Sequence, residues 1–213
     1  RVWKFNENDV LLHALPIYHI HGLFVACNLC LLSGAKIYFI KKFQTETVIE
    51  YLPKSTVMMG VPTFYTRLIE SNKLNIQITK NIRVFISGSA PLLSETHKEF
   101  ESLTGHKILE RYGMTETNMN TSNPYDGERR AGTVGFPLPG IKIRITDTEK
   151  NHKMASEKIG MIEIKGENVF EGYWKMSDKT KESFTDDGYF VTGDLGKFSS
   201  DGYLSIIGRN KDL

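Results

Sequence analysis

Between residues 10 and 110, short apolar runs alternate with segments of helical periodicity, and this alternation restricts the fold more than any other feature. Residues 10–15, 35–40, 56–61, 82–87 and 107–110 read as strands. The stretches 21–32, 44–52 and 94–103, and a further one starting at Pro62, read as helices. Pro62 takes the first-turn position, where a missing N–H is no loss. Pro53 stops the second helix, Ser94 is placed to cap the last one, and Gly105 to end it. The pattern predicts an α/β fold with a mainly parallel sheet covered by helices.

The later part of the chain has another character. Residues 127–140 are rich in Gly and Pro. Alternating strands follow at 141–145, 161–165, 189–191 and 203–207, with tight turns at Asp187-Gly188 and Asp201-Gly202. Only 178–184 reads as a helix there. Such a pattern predicts a small antiparallel β-barrel-like subdomain. The expected boundary is near residue 130, dividing an α/β part, 1–130, from a β-rich part, 131–207.

Charge and composition exclude several classes. With 27 Lys and Arg against 25 Asp and Glu, the net charge is +2, which gives no electrostatic reason to expect nucleic acid or an anionic membrane. The most apolar stretch, 23–32, is interrupted by Asn28 and falls short of the ~20 residues a membrane span needs. No secretory leader is visible, so the cytoplasm is the expected compartment. Cys27 and Cys30 have redox or zinc spacing, and His19 and His21 could complete a ligand set. Their run is apolar and helical, however, which favours two core cysteines. Gly193-Asp-Leu-Gly-Lys197 is too short for a nucleotide phosphate loop, and Phe198 stands where Ser or Thr is needed.

Two polar segments follow strands directly: Ser87-Gly-Ser-Ala-Pro91 and Glu110-Arg-Tyr-Gly-Met-Thr-Glu116. Ligands of open α/β sheets collect outside the carboxyl ends of strands. Gly88 and Ser89 are small enough to let a flat ring approach the backbone, and Tyr112 could stack on it. Thr115 can donate to a phosphate, and Glu116 can hold a hard cation such as Mg²⁺. The same residues also suit a plain turn with a core tyrosine and a solvated glutamate.

Glu110-Arg-Tyr-Gly-Met-Thr-Glu-Thr117 resembles the signature of the adenylate-forming superfamily, which includes acyl-CoA synthetases, peptide-synthetase adenylation domains and luciferase. Supporting segments occur in the family's order: Leu15-Pro-Ile-Tyr-His-Ile-His-Gly22, Gly60-Val-Pro-Thr-Phe-Tyr65, Ser87-Gly-Ser-Ala-Pro91, Gly132-Thr-Val-Gly-Phe-Pro137, Gly172-Tyr-Trp174, Thr192-Gly-Asp194 and Gly208-Arg209. The run from Arg111 to Pro124 looks most like that of malonyl-CoA synthetases.

The resemblance implies a ligase that adenylates a small dicarboxylic acid, malonate or methylmalonate, with ATP and Mg²⁺. The acyl group then passes to coenzyme A. It implies that Ser89, Ala90 and Pro91 lie along the adenine, with Tyr112, Gly113 and Met114 in the nucleotide site. Thr115 is expected on the phosphate and Glu116 on Mg²⁺. Asp194 is expected on the ribose, where the alternative is a turn aspartate, and Arg209 on ribose or phosphate. Lys211 falls at the family's hinge, 208–213. For the acid, a buried second carboxylate needs a cationic partner. Arg111 is the first candidate, with Arg67 and His21 beside it, and Met119 as a wall that favours a short acid. Arg67 also suits a surface helix, and His21 a satisfied core position.

A fatty acyl-CoA ligase or another adenylation enzyme is the alternative within the family, and a non-catalytic nucleotide-binding module the alternative outside it. The chain opens on Arg-Val-Trp-Lys rather than Met. The resemblance places a phosphate loop ahead of Arg1 and a lid with a catalytic lysine beyond Leu213. The chain is therefore expected to be the interior of a longer protein, with weak nucleotide affinity and no useful turnover by itself.

Overall fold

The computed structural model describes residues 2–147 and 153–212. The chain divides into two compact units, residues 1–111 with 123–132, and residues 112–122 with 133–213. The chain passes from one unit to the other after Arg111, after Ser122 and after Gly132.

In the first unit, β1 (Val10–His13) is followed by a π-helix, His21–Cys27, which runs into α1 (Asn28–Ser33). Next come β2 (Lys36–Phe39), α2 (Thr45–Tyr51), β3 (Val57–Gly60) and α3 (Pro62–Ile69), with Pro62 in the first turn. A short helix absent from the sequence reading, α4 (Ile76–Thr79), is capped by Asn75, whose side chain accepts from the Gln77 and Ile78 N–H groups. Then follow β4 (Val84–Ser87), α5 (Ser94–Thr104) and β5 (Leu109–Met114). Ser94 does not cap α5. The N-cap is Leu93, without a side-chain hydrogen bond, and Ser94 is already helical. Gly105 does end it, in the left-handed conformation at φ 74°.

Strands β2, β1, β3, β4 and β5 lie side by side in that order, all parallel. Leu11, Leu12, Val57, Met58, Val84, Phe85 and Ile86 are fully enclosed. A parallel sheet covered on both faces requires such unbroken apolar strands, and each enclosed side chain contributes about 1.5–3 kcal/mol.

At the amino ends of these strands, Asp9 binds Arg83 through both oxygens, at 2.7 Å to Nε and 2.7 Å to Nη2. It also accepts from the Thr56 hydroxyl and the Asn6 N–H. Burial alone would raise the Asp9 pKa, but Arg83 and these donors outweigh it and hold the carboxyl below its ordinary value. Arg83→Ala leaves that carboxylate buried without its cation. We expect a loss of about 3 kcal/mol, read by urea unfolding. The lowered pKa means that this stabilisation is present above the unfolded carboxylate value of 3.8 and is lost as pH falls through the folded one.

In the second unit, β5 continues from Tyr112 and turns into β6 (Asn118–Ser122), beside which runs the short β7 (Phe136–Pro137). A separate antiparallel sheet follows, built from β8 (Lys142–Thr146), β9 (Gly160–Lys165), β10 (Phe190–Phe198) and β11 (Leu204–Arg209), with α6 (Ser177–Glu182) between β9 and β10. It is open, in the order β11-β10-β9-β8. Tyr112, Ile145, Ile162, Ile164 and Leu204 form its core. The discarded phosphate-loop segment 193–197 lies inside β10 and is strand.

Candidate functional site

The candidate residues of the first unit meet where β4 ends, where the π-helix begins, and along β5. Arg111 lies within β5, not in a loop after it, and is only 4% exposed. Its guanidinium lies over Gly88: a Cβ there would stand 2.6 Å from Arg111 Cζ and Nε. The flat space expected at Gly88 is therefore filled by this side chain. Among the described residues, Nε and Nη2 of Arg111 have no hydrogen-bond partner. Burial pushes the guanidinium pKa down to about 10, with Tyr65 opposing it, so it remains charged at neutral pH, and among the described residues no carboxylate acts on it.

His21, at the start of the π-helix, is buried, with Nδ1 3.1 Å from the Ser89 hydroxyl and Nε2 without a partner among the described residues. Burial and then the charges of Arg111 and His13 hold its pKa well below the ordinary histidine value, so the imidazole is neutral. Ser89 is exposed and adopts a left-handed backbone conformation, φ 70°, which is uncommon for a non-glycine residue. Ala90 and Pro91 follow it, also exposed. The Ser87 hydroxyl, at the end of β4, is a further buried group without a partner.

Arg67, exposed on α3, lines a cleft of about 700 Å³ together with Tyr18, Lys41, Lys42, Phe43 and Phe64. Its guanidinium carbon lies 6.0 Å from the centre of the Phe43 ring. His21, Ser89 and Arg111 do not line this cleft. Cys27 and Cys30 are free, buried thiols whose pKa values burial raises, that of Cys30 to about 12, as suits core cysteines.

The candidates of the second unit gather on Asp194. It is buried on β10 and directly opposite Arg209 on β11, whose Nε donates to Oδ1 at 3.2 Å. The Tyr112 hydroxyl donates to Oδ2 at 2.5 Å. Its pKa is well above the ordinary phenol value, through burial first and then the Asp194 charge. Asp194 is thus neither solvated nor a plain turn residue. Because a carboxylate has about four acceptor positions, room remains on it for further O–H donors.

Gly113 and Met114, half-buried, end β5, and Thr115 is exposed at the turn. Glu116 is half-buried and accepts from the Tyr173 hydroxyl at 3.0 Å. Met119 is half-buried on β6. Lys211 is exposed in a 3₁₀ turn, Asn210–Asp212. Two contributors escaped the sequence reading. Asn168 donates through Nδ2 to the Thr117 and Met119 carbonyls and to Asn120 Oδ1, and Tyr173 reaches Glu116. A lone Asn after a strand and a Tyr in a Gly-Tyr-Trp run carry no spacing signal for such partners.

Glu116 fits a divalent cation of the Mg²⁺ kind. One carboxylate oxygen is held by Tyr173, and among the described residues the other takes no hydrogen bond. Among the described residues, no group of three His, Cys, Asp or Glu forms an all-protein metal site. A single carboxylate suits a cation that takes its other ligands from phosphates and water. Among the described residues, no helix is long and apolar enough to cross a membrane.

The model of a family described as AMP-binding enzyme matches residues 1–174. A malonate–CoA ligase of Arabidopsis thaliana is 40% identical over 98% of this chain and 37% of its own length. The ATP-bound MatB of Rhodopseudomonas palustris has a TM-score of 0.98 and 57% identity, covering 100% of this chain and 42% of that one. A malonyl-CoA ligase in a ternary product complex with methylmalonyl-CoA and AMP has a TM-score of 0.90 and 39% identity, over 98% of this chain and 46% of that one. The chain spans about two fifths of the length of the curated relatives it matches.

Proposed function

The chain belongs to the AMP-binding enzyme family, and from that premise we propose that the whole protein is an acid–thiol ligase that activates malonate or its methyl homologue with ATP and hands the acyl group to coenzyme A. The observation that carries the choice of acid is the Arg111 guanidinium, buried, charged and, among the described residues, without a carboxylate partner. A protein that keeps such a group sacrifices stability unless a ligand supplies the anion. The names of the relatives, a malonate–CoA ligase and a malonyl-CoA ligase with methylmalonyl-CoA bound, support the same acid.

In this reading, Arg111 binds the distal carboxylate by paired N–H donors, and His21 Nε2 and Ser89 lie on the same side of the acid. Met119 is the candidate for limiting the length of the acid, whereas Arg67, in a cleft that Arg111 and His21 do not line, takes no part in this reading. The near carboxylate oxygen attacks the α-phosphorus of ATP. An O–P bond forms, the bond to pyrophosphate breaks, and the acyl-adenylate results. The coenzyme A thiol then loses its proton and attacks the acyl carbon, releasing AMP. Displacement at phosphorus depends on positioning and charge neutralisation more than on covalent help.

In the second unit, Asp194 accepts from the ribose hydroxyls, Arg209 adds directed N–H donors, and Tyr112 lies along the base. Thr115 donates to phosphate, and Glu116 would hold Mg²⁺, which when bound offsets phosphate charge.

The test is AMP release by the whole protein offered malonate, methylmalonate, acetate and a medium-chain fatty acid. Malonate and methylmalonate should lead by at least tenfold, within about 1–3 kcal/mol of each other because they differ by one methyl group. A preference for either monocarboxylic acid would remove the assignment.

A further inference from the structure

Within the second unit, the segment from Gly166 to Tyr173 braces the turn that carries Glu116. The Phe170 N–H donates to the Glu116 carbonyl at 2.8 Å. Asn168 donates to the Thr117 carbonyl, 2.5 Å, and to the Met119 carbonyl, 3.2 Å. These contacts fix the backbone of the turn. One contact acts on the Glu116 side chain instead: the Tyr173 hydroxyl, 3.0 Å from Oε1.

Tyr173 is itself held from several sides. Its N–H donates to the Thr180 hydroxyl, its ring meets Phe170 edge-on at 4.8 Å, and Lys179 Nζ lies 4.4 Å from the ring centre. A phenol fixed in this way can fix a carboxylate. A flexible half-buried glutamate samples several rotamers, and each must be given up when it takes a metal ion. A partner that occupies one oxygen and leaves the other open removes that cost in advance.

The geometry points to Tyr173 as a positioning residue that orients the Glu116 carboxylate for a divalent cation. The inference rests on the reading of Glu116 as the metal carboxylate. Tyr173 touches neither substrate nor metal; it acts through Glu116.

Tyr173→Phe removes the hydroxyl and keeps the ring with its Phe170 and Lys179 contacts, so an unchanged melting temperature is the check on folding. The probe is Mn²⁺, titrated by electron paramagnetic resonance into the whole protein with a non-hydrolysable ATP analogue present. Tyr173→Phe should weaken Mn²⁺ binding about tenfold and leave the KM for the acid unchanged. Glu116→Gln should weaken it further, and adding Tyr173→Phe to it should cause no additional loss. Wild-type Mn²⁺ affinity in Tyr173→Phe, with affinity lost in Glu116→Gln, would overturn the positioning role and leave the metal reading standing. Wild-type affinity in Glu116→Gln would overturn the metal reading and the positioning role together. A loss in Tyr173→Phe that adds to the loss in Glu116→Gln would also overturn it, since the phenol would then act by a route other than the carboxylate.

Discussion

Arg111→Met is expected to lower kcat/KM for malonate by at least about 10²-fold, equivalent to ~3 kcal/mol for a lost charge-assisted pair. Its effect on the free protein should have the opposite sign. Arg111 is buried with two N–H groups unpartnered and a pKa pushed down to about 10. A base whose folded pKa lies below its unfolded value weakens the fold at every pH below that folded value. Methionine has similar length and no charge, so the melting temperature without ligand should stay level or rise. Malonate should raise the melting temperature of the wild type and not that of the variant. Unchanged malonate kinetics in Arg111→Met would reject the carboxylate role. A large fall in melting temperature would show that the guanidinium serves the fold.

Asp194→Ala should raise the KM for ATP about 50-fold, on the order of 2–3 kcal/mol for hydrogen bonds to a charged acceptor, with the KM for malonate near wild type. It also leaves the buried Tyr112 hydroxyl without its acceptor, which costs roughly 1–3 kcal/mol of stability. Asp194→Asn separates the two effects. Its amide oxygen still accepts from Tyr112, so stability should return, while affinity for the ribose recovers only in part. Initial rates against ATP at saturating malonate, with urea melts of all three proteins, read both quantities. An ATP KM that does not move in Asp194→Ala would remove this residue from the nucleotide site.

The parallel sheet was legible because its strands are enclosed on both faces, so that 57–59 and 84–86 had to be continuous apolar runs. Where polar and small residues enter a strand, that signal fails. Expected as a strand over 189–191, β10 runs from Phe190 to Phe198 through Gly193 and Gly196. Glycine is a poor strand former, yet a Cβ at position 196 would stand 2.7 Å from the Ser205 carbonyl oxygen, so the close strand pairing itself demands it. The signature 110–116 looks like a loop because it is polar, but Arg111 and Tyr112 lie in β5. Residues 21–32 read correctly as helical, but nothing in the residue pattern signals that the first part, His21–Cys27, is wound as a π-helix. Candidate residues were readable as types and not as partners. Asp194 could be singled out from Thr-Gly-Asp, whereas its pairing with Tyr112 across 82 positions could not.

The placement of the Arg111 guanidinium on bare backbone at Gly88 bears on how substrate range can drift among descendants of such a gene. Exchanging the arginine for a small residue at 111 deletes a charge and vacates volume in the same stroke, which suits a neutral, bulkier acid. The reverse route is narrower, because a newcomer arginine finds room only if position 88 has no side chain. If Arg111 holds the distal carboxylate as proposed, loss of diacid preference should take one step in evolution and its recovery, wherever residue 88 has since acquired a Cβ, two.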